Sequence, residues 1–144
     1  MKNIWIFLIA FLLLGAGCGT VSAPRGSTMV ITPIKIGWLG PLSGDASSLG
    51  QDALTAAKLA AEEVNANGGI NGQPLELVVE DGKCQSKDAV SGMNKLLTNS
   101  DMTVIIGGLC SGETSAVAPI AEQNKKILFS GCSSAPAISK AGRI

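Results

Sequence analysis

Residues 103–114, Thr-Val-Ile-Ile-Gly-Gly-Leu-Cys-Ser-Gly-Glu-Thr, carry the side chains best placed to meet a ligand. Residues 103–106 form an apolar β-branched run long enough for a strand buried on both faces, and Gly107-Gly108 breaks it into a short polar loop with Cys110 and Ser111. A helical pattern follows. Ser111 and the amides beside it therefore stand between a strand's carboxyl end and a helix's amino end, where an α/β sheet commonly holds a ligand. The chemistry open to Ser111 is hydrogen bonding. The sequence has no His to activate it, and no pair of glycines flanks it in the nucleophile-elbow pattern.

The lack of His and Tyr also removes a His-based triad, the usual zinc site and a tyrosine acid/base. Gly37, Gly40 and Gly44 do not spell a dinucleotide fingerprint, no Lys follows a loop Gly as a phosphate loop needs, and Asp81 lies past the spacing of a ribose-binding acid. No cofactor is expected. Eleven basic residues balance eleven acidic ones without a long run of either sign, so nothing marks a nucleic-acid footprint. Cys84, Cys110 and Cys132 all fall in loops, and in an exported protein one pair and one leftover is the simplest arrangement. Three pairings are open. Closing the loop between Cys84 and Cys110 would stabilise by about 3 kcal/mol on the loop-entropy model. A three-thiolate metal site would lack both a histidine and a neighbouring second Cys, so no metal is expected.

The export signal is at the start. Lys2 precedes an apolar run over 4–17, short of the roughly twenty residues that span a membrane but right for a secretory signal core. Residues 1–17 read as a signal peptide. Leu14-Gly15-Ala16-Gly17-Cys18 resembles the lipobox of bacterial-type lipoproteins, which implies cleavage before Cys18 and lipid on its sulfur, although Gly15 stands where Leu is usual. The alternatives are cleavage after Val21-Ser22-Ala23, which Pro24 disfavours, and a Cys that merely ends the signal core. Residues 18–33 then form the lipidated Cys and a flexible tether rich in Gly, Ser, Thr and Pro.

From residue 34 the chain alternates strands and helices. Strands are expected over 34–39, 75–80, 103–106 and 127–130. Between them lie a helix over 49–67 with Ala53, Ala57, Ala60 and Val64 facing inward, a helix capped by Ser86 with a stripe of Ala89, Val90, Met93, Leu96 and Leu97, and a helix over 113–124. Pro119 should start or kink that last helix. The alternation implies an α/β fold, a parallel sheet flanked by helices on both faces. Loops 40–48, 81–85, 107–112 and 131–135 then gather at the carboxyl edge. Trp38 reads as core. The chain stops at Ile144 without an obvious closing element, so 34–144 is expected to be part of a lobe rather than a whole one.

Four segments carry a resemblance: IKIGWLGPLSGDASSLG at 34–50, ANGGINGQPLELVVEDGKC at 66–84, VIIGGLCSGET at 104–114 and ILFSGCSSAP at 127–136. In this order and spacing they look like the amino-terminal part of the periplasmic branched-chain amino-acid binding proteins, the ligand-capturing subunits of ABC importers. The resemblance implies a two-lobed fold, of which 34–144 would be the first part of lobe 1, with ligand in the cleft. It pairs Cys84 with Cys110 and puts Ser111 on the ligand carboxylate. Cys132 would offer its backbone carbonyl to the ammonium, and Ser134 a hydroxyl to both charged ends. Leu49 stands where an aromatic ring often lines the side-chain pocket, and Cys132 puts a thiol at a position often small and inert. A Leu wall suits an apolar side chain but could also widen the pocket.

Those roles agree with the physics. A carboxylate entering a dry cleft needs neutral donors, which Ser hydroxyls and loop amides supply without a buried cation. An ammonium needs carbonyls and one carboxylate, and neither the 107–112 nor the 131–135 loop holds an acid, so that group is expected in the second lobe. The implied protein is exported, lipid-anchored at the membrane, non-enzymatic, and presents amino acids, branched-chain or otherwise apolar, to an ABC permease. The alternative is a ligand-sensing domain of the same fold for amides or other small molecules, feeding a receptor or regulator. The plainer readings are that Ser111 and Ser134 cap helices and that Leu49 is only a helix's first buried residue.

Overall fold

The computed structural model describes residues 31–140. The signal peptide, Cys18 and most of the tether lie outside the described residues; residues 31–33 have no regular structure. The elements follow in the order β1 (Ile34–Gly40), α1 (Ser47–Ala66), β2 (Leu75–Asp81), α2 (Ser86–Leu96), β3 (Val104–Gly107), α3 (Ser111–Gln123), β4 (Ile127–Phe129) and a short 3-10 helix (Pro136–Lys140). The strands form a parallel sheet in the order β2-β1-β3-β4. β1 is central, with Trp38 level with Val79 of β2 and Ile106 of β3.

Strand alternation splits the apolar side chains between two faces. On one face α2 packs on α3, β1 and β2, burying Leu39, Ala89, Met93, Leu96, Met102, Ile105, Val117 and Ala121 in one cluster. Each large side chain there contributes roughly 1.5–3 kcal/mol relative to exposure. Val90 is half-buried and Leu97 packs against the cluster, so the expected α2 stripe is the observed one, with Gly92 added. Trp38 points to the other face and is 1% exposed, a core residue as expected.

That other face is covered less than the alternation implied. α1 lies against β2, while Ile127 and Phe129 of β4 remain 59% and 62% exposed and Val104 and Ile106 half-buried. Cover on both faces therefore holds near β2 and fails at β4 among the described residues, and β3 is buried at Ile105 and Gly107 but only half-buried at Val104 and Ile106.

Several local expectations shift. α1 starts at Ser47, two residues before 49, and ends at Ala66; its buried positions are Gly50 and Ala61, with Ala53, Ala57 and Val64 half-buried and Ala60 exposed. The helical period allows 60 or 61 after 57, and packing on β2 selects 61. Ser86 is the first helical residue rather than the cap, since Gln85 occupies the N-cap and the Ser86 hydroxyl donates to the Gly112 carbonyl at 3.1 Å. Pro119 sits inside α3. Its ring and Ser115, whose carbonyl it deprives of a donor, are both exposed, so water can take that bond, while buried Val117 and Ala121 keep the helix on the sheet. The third and fourth strands end at Gly107 and Phe129, which leaves Ser130 in the loop beyond β4.

Candidate functional site

The chain leaves β1 toward β2 and leaves β3 toward β4, in opposite directions along the sheet. The crevice between those two outgoing loops is where open α/β sheets bind ligands. Four loops meet at this edge, and three polar clusters tie them together.

Asp81, the last residue of β2, holds the loop after β1. Its carboxylate accepts from the Leu42 amide at 2.8 Å, the Ser43 hydroxyl at 2.5 Å and the Lys83 amide at 3.0 Å. Burial pushes its pKa up, but the Ser43 hydroxyl and the backbone amides of Leu42, Lys83 and Ser43 outweigh that and leave it below the ordinary carboxylate value. Next comes a tight turn closed by the Gln85 amide on the Gly82 carbonyl at 2.9 Å, with Lys83 and Cys84 both left-handed at φ 51° and 59°. Two successive non-glycine residues in that region cost roughly 1–2 kcal/mol each, so the turn must be held from outside.

It is held from α3. Cys84 is disulfide-bonded to Cys110, with the Cα atoms 5.3 Å apart, the pairing the family resemblance implied. Beside the bond lies Glu113, 0% exposed, with Oε1 accepting from the Cys84 amide at 3.0 Å and Oε2 from the Cys110 amide at 3.0 Å. Gly82 leaves the room: a Cβ there would collide with the Glu113 carboxylate. The sequence signal was present, since an acid three residues after the N-cap is the reaching half of a capping box, and Cys110 is that N-cap.

The third cluster joins the loops after β3 and β4. Gly108, left-handed at φ 63°, turns its carbonyl toward three hydroxyls: Thr114 at 2.8 Å, Ser130 at 2.7 Å and Ser133 at 2.7 Å. Thr114 and Ser133 also share a hydrogen bond at 2.6 Å, and the Ser133 amide donates to Ser130. A side chain at 108 would meet both the strained backbone and Thr114.

Ser111 opens α3, with Cys110 rather than Ser111 as the N-cap, so its hydroxyl is not spent on capping. Its Oγ accepts from the Ala135 amide at 3.2 Å, which draws the 131–135 loop against the start of α3. With the oxygen accepting that bond, no bond donated by the Ser111 hydroxyl is present among the described residues. Cys132 is exposed and, among the described residues, a free thiol; Ser134 is exposed in the same loop. Neither precedes a helix as a cap, because the 3-10 helix begins at Pro136. Leu49 lies in the first turn of α1 at the same edge but is 52% exposed, so it is not a buried helix residue. Ser111 is thus the one candidate bonded to a second loop. A groove of about 430 Å³ lies nearby, lined by residues including Asp45, Lys83 and the disulfide-bonded Cys84, but not by Ser111, Cys132, Ser134 or Leu49.

The family model described as periplasmic binding protein matches residues 33–142, most of the chain. The chain belongs to this family. It is 32% identical over 123 residues to an amino acid binding protein of Pseudomonas aeruginosa, covering 85% of this chain and 33% of that one. It is 31% identical over 127 residues to a Leu/Ile/Val-binding protein of Escherichia coli K12, covering 88% of this chain and 34% of that one. Among solved structures, a branched-chain amino acid transporter substrate binding protein of Streptococcus pneumoniae, in complex with isoleucine, superposes with a TM-score of 0.72 at 32% identity, covering 76% of this chain and 31% of that chain. The chain spans about a third of the length of the curated relatives it matches.

Within this periplasmic binding protein, the clusters missed by sequence reasoning are those that hold the edge rather than face a ligand: Asp81, Glu113, Thr114, Ser130 and Ser133. Glu113 is the nearest acid to Ser111 in sequence beyond the 107–112 loop, and it is sealed away with both oxygens engaged. It is not placed to meet an ammonium.

Proposed function

We propose that this chain forms the first ligand-binding edge of an extracytoplasmic solute-binding protein that captures amino acids, branched-chain or otherwise apolar, for an ABC importer, and that it catalyses nothing. The observation that carries the reading is the Ser111 hydroxyl: its oxygen is occupied by the Ala135 amide, its proton is free to donate, and it stands at the amino end of α3. Such a group suits a carboxylate. The Ser111 and Gly112 amides of the first turn have no intrahelical acceptor and can join it, aided by the helix dipole. Neutral donors of this kind bind an anion without a buried cation.

The remaining roles follow from position in the same loops. The Cys132 carbonyl receives the ammonium, the Ser134 hydroxyl contacts both charged ends, a carboxylate from the second lobe completes the ammonium site, and Leu49 borders the side chain. Cys18 carries lipid and residues 18–33 tether the protein outside the membrane, beside its permease. The relatives that support this reading are themselves amino-acid binding proteins.

The test is a thermal-shift screen of single L-amino acids on the full-length protein without residues 1–28. A ligand at a hundred times its dissociation constant adds about 2.7 kcal/mol of stability. A shift with Leu, Ile or Val that is lost in a folded Ser111→Ala, Ser134→Ala variant is the expected result. No shift with any amino acid overturns the ligand class, and an undiminished shift in the variant overturns the site.

A further inference from the structure

Two unlike links join the same pair of loops. The disulfide joins the side chains of Cys84 and Cys110, and the buried Glu113 carboxylate bridges the amides of those same two residues, one oxygen to each at 3.0 Å. A fully buried carboxylate left unpaired would be costly, so these bonds are held wherever the fold holds. Nothing in them requires the sulfur bond.

We propose that Glu113 is a positioning residue that clamps Cys84 beside Cys110 whether the disulfide is closed or open, and so keeps the start of α3, with Ser111, in place under reducing conditions. Two consequences follow. Because the clamp keeps the thiols together, it raises the effective concentration of each at the other and makes the disulfide harder to reduce. By linkage, the closed disulfide strengthens the Glu113 bonds by the same factor. The bearing on ligand capture rests on the reading of Ser111 given above; the clamp itself does not.

The experiment equilibrates the full-length protein with dithiothreitol at graded ratios of reduced to oxidised form. Reduction breaks the Cys84–Cys110 bond, puts a proton on each sulfur and oxidises the dithiol to its cyclic disulfide. Alkylation and mass then count the opened pair. Glu113→Gln keeps the shape but turns an NH₂ toward one amide, and is expected to make reduction about tenfold easier, a rise of about 30 mV for this two-electron couple. Glu113→Asp, one methylene too short to reach both amides, should move in the same direction. A residue that merely stabilised both redox forms alike would leave the potential unchanged, and a change under twofold in both variants overturns the proposal. If neither variant folds, hydrogen exchange on the reduced wild type decides: Cys84 and Cys110 amides that stay protected support the clamp, and amides that exchange as fast as those of the exposed 43–45 loop refute it. None of these readouts uses a ligand, so failure of the amino-acid screen leaves them interpretable.

Discussion

Replacing Asp81 by Ala removes one acceptor that three donors on two loops share. The Leu42 bond, at 2.8 Å, is half-buried, while those from Ser43 and Lys83 are exposed. A bond to a charged group contributes about 1.5–3 kcal/mol when shielded, and solvent trims the exposed pair to a few tenths each, so the loss should be about 2–3 kcal/mol. For a domain of about this size that lowers Tm by roughly 8–15 °C. The pH dependence gives the sharper test. Asp81 has a folded pKa below its ordinary 3.8, so its contribution is complete above that value and lost as pH falls through the lower folded one. Urea unfolding of wild type and Asp81→Ala should therefore differ by the full amount near neutral pH and draw together as pH falls below the ordinary carboxylate range. Equal stability near neutral pH, or a gap that stays constant down the acid limb, would refute the reasoning.

Three further substitutions probe the same edge and the helix behind it. Pro119→Ala should stabilise by about 1–2 kcal/mol by restoring a donor inside α3, read as a higher urea midpoint; a lower midpoint would show that the proline's restraint on the unfolded chain matters more. Gly108→Ala adds a Cβ at φ 63° against Thr114 and should cost more than about 2 kcal/mol, seen as a drop in Tm; an unchanged Tm would mean the loop has another conformation. Thr114→Val keeps the volume at a 3% exposed position but deletes the hydroxyl shared by Gly108 and Ser133, with an expected loss of about 1–2 kcal/mol that Thr114→Ser largely restores. No recovery with Ser would assign the loss to the methyl group.

The strands and helices were legible because each rests on a local pattern. The apolar run at 103–106 and the spacing of Ala89, Met93 and Leu96 need no partner to be recognised, and the structure places β3, shifted by one residue to Val104–Gly107, and α2 on them. Where two local rules competed, packing decided. Ala61 rather than Ala60 met β2, and Pro119 stayed inside α3 because Val117 and Ala121 on either side of it are buried. Ser111 could be singled out from strand, glycine break and helix start alone.

The long-range bonds that hold its loop could not, because, apart from the local capping bond of Glu113 to Cys110, their partners are distant in sequence. Glu113 reaches Cys84 across 29 residues, and Ser130 and Ser133 reach Gly108 across 22 and 25. Those distances close only once β2, β1, β3 and β4 lie side by side in parallel register, which brings the carboxyl ends of the strands, and the loops that follow them, to one edge. A polar residue just after a strand in such a sheet therefore has two possible neighbours, solvent or the next loop, and local sequence does not distinguish them. Burial does: Glu113 and Thr114, at 0% and 3% exposed, bond across loops, whereas Ser134, in the loop after β4, is exposed to solvent.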